Sequence, residues 1–226
     1  MKILVTAAHP DDELLGCGAT VARLATEGHE IYFAILGEGL TSRHPDRQDA
    51  QASQLEALRR SSRKAACTIG AKDVFFYGLP DNRLDTIPLL EVTKIIEELI
   101  EKLQPQVIYT HHEGDLNIDH GVVSRAVLTA ARPIASQSVR EIYAFEVPSS
   151  TDWAFQRCGP AFRPNTFVDV EKTLEQKILA LAAYETEMRQ FPHPRSPEAL
   201  RATAQRWGSV IGRPSAEAFE LVRGMR

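Results

Sequence analysis

The chain has 226 residues, 43% hydrophobic and 25% charged, with a formal net charge of −4. This ordinary globular composition excludes a disordered, collagen-like or disulfide-stapled chain and offers no basic field for nucleic acid or anionic lipid. No apolar run approaches the roughly 20 residues of a membrane span, the first residues lack a signal-peptide layout, and Cys17, Cys67 and Cys158 form no CxxC pair. The expectation is one cytoplasmic domain over residues 1–226, with three buried, reduced thiols.

Short β-branched runs alternate with long amphipathic stretches, which predicts a Rossmann-like three-layer α/β domain with a mostly parallel sheet. Ile3–Ala8 is a continuous apolar run, as a strand buried on both faces requires. Leu14, Cys17, Val21 and Leu24 then fall at helical spacing, up to a stop at Gly28. Ile31–Leu36 reads as a second strand, followed by a polar loop in which Glu38 and Arg43 are placed to rim a crevice. A helix from Leu55 to Ile69 and a strand at Val74–Tyr77 lead to the turn Gly78–Asn82. Asp85 or Thr86 is the expected cap of a third helix running to Leu103, with Pro88 in its first turn. A strand at Val107–Tyr109 precedes an unusually polar loop, His111–His120, and a helix to about Ala131. Strands at Ile142–Val147 and Thr166–Val170, and helices at Leu174–Met188 and Pro197–Gly208, complete the prediction.

Two polar clusters fall at strand ends, where open α/β sheets bind ligands. The first, His9-Pro10-Asp11-Asp12-Glu13, gathers an imidazole and three carboxylates on a proline-stiffened turn. Like charges this close call for a cation among them. His120, at a helix start in the second cluster, supplies a further ligand. Two histidines and one carboxylate leave zinc an open position, as hydrolytic sites do. The remaining carboxylate is then available as a general base. His111 and His112 are further candidate ligands, although adjacent residues at a strand end point apart. Gly16-Cys17-Gly18 is a poor dinucleotide fingerprint, because Val21 stands where Gly or Ala is needed; helix–sheet packing explains these glycines better. Asp115–Asp119 starts like a calcium loop, but His120 and Ala126 occupy its glycine and glutamate positions.

The chain resembles the LmbE-like (PIG-L) zinc-dependent N-deacetylase family. The similarity rests on His9-Pro10-Asp11-Asp12-Glu13 after the first strand and Asp115-x-Asn117-x-Asp119-His120 about a hundred residues on. It extends through Leu79-Pro80-Asp81, Phe191-Pro192-His193-Pro194-Arg195-Ser196 and Ala216-Glu217-Ala218-Phe219. What the resemblance implies is hydrolysis of an N-acyl group, usually acetyl, from an N-acetylglucosamine-type sugar or conjugate. His9, Asp12 and His120 would hold Zn2+ (Fe2+ and Co2+ suit the same donors), with Asp11 as base. Asn117 stands where many members have a histidine held by the residue matching Asp119; it can donate to an oxyanion but cannot deliver a proton. Protonated Asp11, or His193 from its proline-flanked loop, is left to serve the leaving amine. Arg59 (with Arg60 and Arg63 as neighbours) and Asp81 are the candidate sugar-binding residues, and the resemblance admits a homo-oligomer. The rival readings are a non-catalytic metal- and sugar-binding module, which Asn117 favours, and a nicotinamide-dependent oxidoreductase, which the failed glycine pattern disfavours.

Overall fold

The computed structural model describes residues 1–41, 52–185 and 187–225. Strands β1 (Lys2–Ala7), β2 (Glu30–Gly37), β3 (Asp73–Leu79), β4 (Val107–His111), β5 (Glu141–Phe145), β6 (Thr166–Asp169) and β7 (Ala216–Gly224) form one sheet in the order β3-β2-β1-β4-β5-β7-β6. Strands β1 to β5 pair in parallel, whereas β7 runs antiparallel to both β5 and β6. The predicted fold class is therefore the observed one. Alternation along β1 explains the layering: Ile3, Val5 and Ala7 face one core, Leu4 and Ala8 the other. The first core is closed by α1 (Asp12–Thr26), α2 (Ala52–Thr68) and α5 (Leu174–Leu181), the second by α3 (Leu89–Leu103) and α4 (Ile118–Ala130). Helix α6 (Pro197–Val210) packs beside β7. Among the described residues no helix is long and apolar enough to cross a membrane.

Several boundaries differ from the sequence expectation. The third helix starts at Leu89, after a separate 3-10 turn at Leu84–Thr86. Pro88 forces Ile87 into an extended conformation, which separates turn from helix. The fifth helix stops at Leu181 rather than Met188, and Tyr184 beyond it is buried with its hydroxyl on Glu13. Strand β7 carried no apolar alternation to mark it, because its inward Glu217 is a buried carboxylate. Two of the three cysteines expected to be buried are exposed: Cys67 on the last turn of α2 and Cys158 in a surface loop.

Helix α1 is kinked, with Cys17 at φ −144° and ψ 18°. The backbone groups freed there are taken up from outside: Glu217 accepts from the Ala19 and Thr20 N–H groups, and Lys177 Nζ donates to Leu15 O. Lys177 and Glu217 pair at 2.6 Å, so the kink carries no orphaned charge. At Gly16 a Cβ would fall 2.2 Å from the Phe145 ring, so close packing of helix on sheet accounts for the glycine.

Candidate metal centre and active site

Where the strand order reverses between β1 and β4, the two loops that follow these strands meet. The β1 loop brings His9, Asp11, Asp12 and Glu13; the β4 loop and the start of α4 bring Asp115, Asn117, Asp119 and His120. His9 Nδ1 lies 3.3 Å and His120 Nε2 3.2 Å from Asp12 Oδ2, and these three residues offer donors within 4.8 Å of one another. Each of the two histidine rings has carboxylates on its far side. His9 Nε2 lies 3.0 Å from Asp119 Oδ2 and 3.2 Å from Asp81 Oδ1; His120 Nδ1 lies 3.2 Å from Asp115 Oδ1. Asp115 is itself fixed by the hydroxyls of Ser150 and Thr151, and Asp119 Oδ1 accepts from the Leu84 N–H. Carboxylates behind ligand histidines are the usual way a protein aims a metal site. His9, Asp81 and Asp119 form a second group of close donors, through Nε2 of the same ring.

The charges fit a cation. Burial disfavours a proton on His9, yet hydrogen bonds to Asp119 and Asp12 and the charges of Asp12 and Asp81 outweigh it and raise its pKa to about 10. At His120 burial is likewise outweighed by Asp12 and Asp115, and the pKa rises to about 9. Burial opposes ionisation of Asp12, but the neighbouring imidazoles hold it well below the carboxylate range. The cluster thus draws positive charge into a buried place, and a divalent ion on His9, Asp12 and His120 would take the place of those protons.

Asp11 stands beside these donors at φ 110° and ψ −28°, in a region that side chains avoid. Burial pushes its carboxyl well above the usual range, against the opposing charge of Arg195, whose Nη1 donates to Oδ2 at 2.8 Å. Glu13 closes the turn from behind: its Oε2 accepts from the Asp11 N–H, its Oε1 from Tyr184, and burial raises its pKa to about 7. His111 is fully buried, stacks on His120 at 3.9 Å and accepts the Ala8 N–H; His112 turns the other way, to Glu220 and Pro160 O. The two histidines do point apart, and neither falls in the donor group.

Asn117 caps α4, its Oδ1 accepting from Asp119 N–H and its Nδ2 donating to Asn82 Oδ1. Asp119 supports His9 rather than residue 117. A cleft of about 770 Å³ lined by Leu84, Asp115, Leu116, Asn117 and Ile118 opens alongside. Arg59 lies over Phe76, with its guanidinium near Gly78, at the end of β3 that also carries Asp81. Arg63 covers the same ring from 5.1 Å. His193 has its ring edge-on to Trp153, and its Nδ1 accepts the Arg195 N–H. Glu38 accepts from Thr41, whereas Arg43 lies outside the described residues. Sequence reasoning assigned no task to Arg195, Asp115 or Glu13, although all three lie in segments it singled out, and it offered His111 as a ligand where the structure gives it the Ala8 N–H and a stack on His120.

The profile of the PIG-L family, described as GlcNAc-PI de-N-acetylase, matches residues 4–131, and so spans both loops of the site. The chain belongs to this family. Among PIG-L relatives, the diacetylchitobiose deacetylase of Thermococcus kodakarensis is 27% identical, covering 99% of this chain and 84% of that protein. The N,N'-diacetylchitobiose deacetylase of Pyrococcus horikoshii, solved with an inhibitor, superposes with a TM-score of 0.78 at 21% identity, covering 99% and 84% of the two chains. The same fold also serves GalB, a 4-carboxy-2-hydroxymuconate hydratase of Pseudomonas putida, with a TM-score of 0.77, 20% identity and coverage of 100% and 97%. The fold alone therefore does not select the reaction.

Proposed function

We propose that this chain hydrolyses the N-acyl group, acetyl in the first instance, of an N-acetylglucosamine-type sugar or sugar conjugate, using a divalent metal held by His9, Asp12 and His120. The observation that carries the reading is the convergence of these three donors beside a buried carboxylate, Asp11, that is not among them. Zn2+ is the first candidate and Fe2+ or Co2+ the alternatives. The bound ion would supply Lewis-acid polarisation of the amide carbonyl and lower the pKa of water. Asp11 takes the proton from the attacking water and returns it to the departing amine, as one base–acid group can. Asn117 keeps one Nδ2 hydrogen on Asn82 and has the second for the oxyanion. Asp119 and Asp115 hold the two ligand rings, and Asp81 with Arg59 offers the sugar an acceptor and a cation at one strand end. His193, in a loop joined to Asp11 through Arg195, is the alternative proton donor for the amine.

The test is acetate and amine release from a panel of N-acetylated sugars, free and nucleotide-linked, by metal-reconstituted protein. Turnover is expected in the wild type and a loss of at least about 100-fold in Asp11→Ala, with equal metal content in both. Equal turnover in the two proteins would refute Asp11 as the base. Tight metal binding and sugar binding without turnover would instead establish the non-catalytic module that Asn117 favours.

A further inference from the structure

The Phe191–Ser196 segment is built around Arg195. Pro192 and Pro194 fix the backbone on either side of His193. His193 Nδ1 accepts the Arg195 N–H at 3.1 Å, and His193 O accepts the Ser196 N–H at 2.9 Å. Ser196, fully buried, caps α6 through the Ala199 N–H. The backbone of Arg195 is thus pinned from both sides, and its side chain runs inward. Nε donates to Ser149 Oγ at 2.9 Å and approaches Pro148 O at 3.4 Å; Nη1 donates to Asp11 Oδ2 at 2.8 Å, with Glu187 Oε2 at 3.9 Å. The Arg195 side chain is only 21% exposed and the Asp11 side chain 3%.

That geometry answers a problem the ligand loop poses. Asp11 and Asp12 are adjacent carboxylates on one turn, and only one of them belongs to the donor group. A carboxylate beside a divalent cation turns toward it unless something else holds it. A guanidinium anchored at a second point fixes a carboxylate in direction as well as charge, which a mobile ammonium does not. We infer that Arg195 is a positioning residue that acts through Asp11: by occupying Oδ2 it keeps Asp11 out of the metal ligand set and leaves Oδ1 to take the proton. The inference rests on the hydrolase reading, with Asp11 as base.

The test uses the metal-loaded full-length protein and the best sugar of the panel. Arg195→Ala is expected to lower kcat by about 10- to 100-fold, within the range for a misplaced base, with KM changed less than twofold and metal stoichiometry unchanged. Arg195→Lys should fall between, and free guanidinium at millimolar concentration should restore part of the Arg195→Ala rate. In an Asp11→Asn background Arg195→Ala should cost nothing further, because the two residues work as a unit. Ser149→Gly removes the second anchor without straining a backbone already at φ 71°, and should lower kcat several-fold in a folded protein. A raised KM with unchanged kcat would make Arg195 a substrate contact, and losses that multiply with those of Asp11 would make it independent; either overturns the inference. An active wild type matched by Arg195→Ala overturns it alone. A wild type that releases acetate from no substrate overturns the hydrolase reading beneath it.

Discussion

At the scale of single residues, Asp11 combines an avoided backbone conformation with a buried carboxyl, both costs that a structural turn would not retain. The sequence displayed Asp11 and Asp12 side by side. It could not show which would face the His9 and His120 rings, because that depends on the φ of 110° at Asp11. Away from this cluster, Glu146 is a second residue whose environment sets its behaviour. Burial raises its pKa to about 6, only partly offset by the Trp207 indole, which donates to Oε1 at 2.6 Å. The folded state therefore holds more protons than the unfolded one between pH 4.5 and about 6, so this residue's contribution to stability falls as pH rises through that window. Glu146→Gln keeps the acceptor and removes the charge. Chemical denaturation is expected to find it equal to wild type near pH 4.5 and more stable by roughly 2 kcal/mol above pH 7. A constant difference at both pH values would count against the buried charge as the cause.

At the scale of elements, α1 sets the site because it starts at Asp12, one of the three clustered donors, and must lie close on β5. Gly16 permits this approach. Gly16→Ala is expected to cost about 1–3 kcal/mol in calorimetry, as an overpacked core does, and Phe145→Leu should recover part of it. If Gly16→Ala melts like wild type, the close approach is not what requires glycine. The periodicity of α1 was legible, but its kink at Cys17 was not: the groups that satisfy it, Lys177 and Glu217, come from far along the chain. The same reason hid β7, whose buried Glu217 makes sense only against Lys177. Pro88 was read as part of the third helix, yet its effect on Ile87 places it ahead of the first turn.

At the scale of the whole molecule, the centre is assembled from β1 and β4, neighbours in the sheet but separated in sequence by α1, β2, α2, β3 and α3. An ion bound there links both halves of the fold and binds the native state alone. At a hundredfold excess over Kd it adds about 2.7 kcal/mol, or roughly 5–10 °C in Tm for a domain of this size. Scanning calorimetry with and without chelator is expected to show that shift in wild type and to lose it in His120→Ala. An unchanged wild-type Tm would refute the metal centre. The α/β class and the two strand-end clusters were legible in the chain alone, because buried-strand periodicity and a run of polar and acidic residues are local signals. Folding brings Asp119 and Asp81 to His9, Asp115 and His111 to His120, and Arg195 from the Pro-flanked loop to Asp11. The contacts of Asp119, Asp81 and Arg195 join segments distant in the chain, those of Asp115 and His111 with His120 depend on how one loop folds, and no local pattern encodes the direction in which a side chain will find its partner.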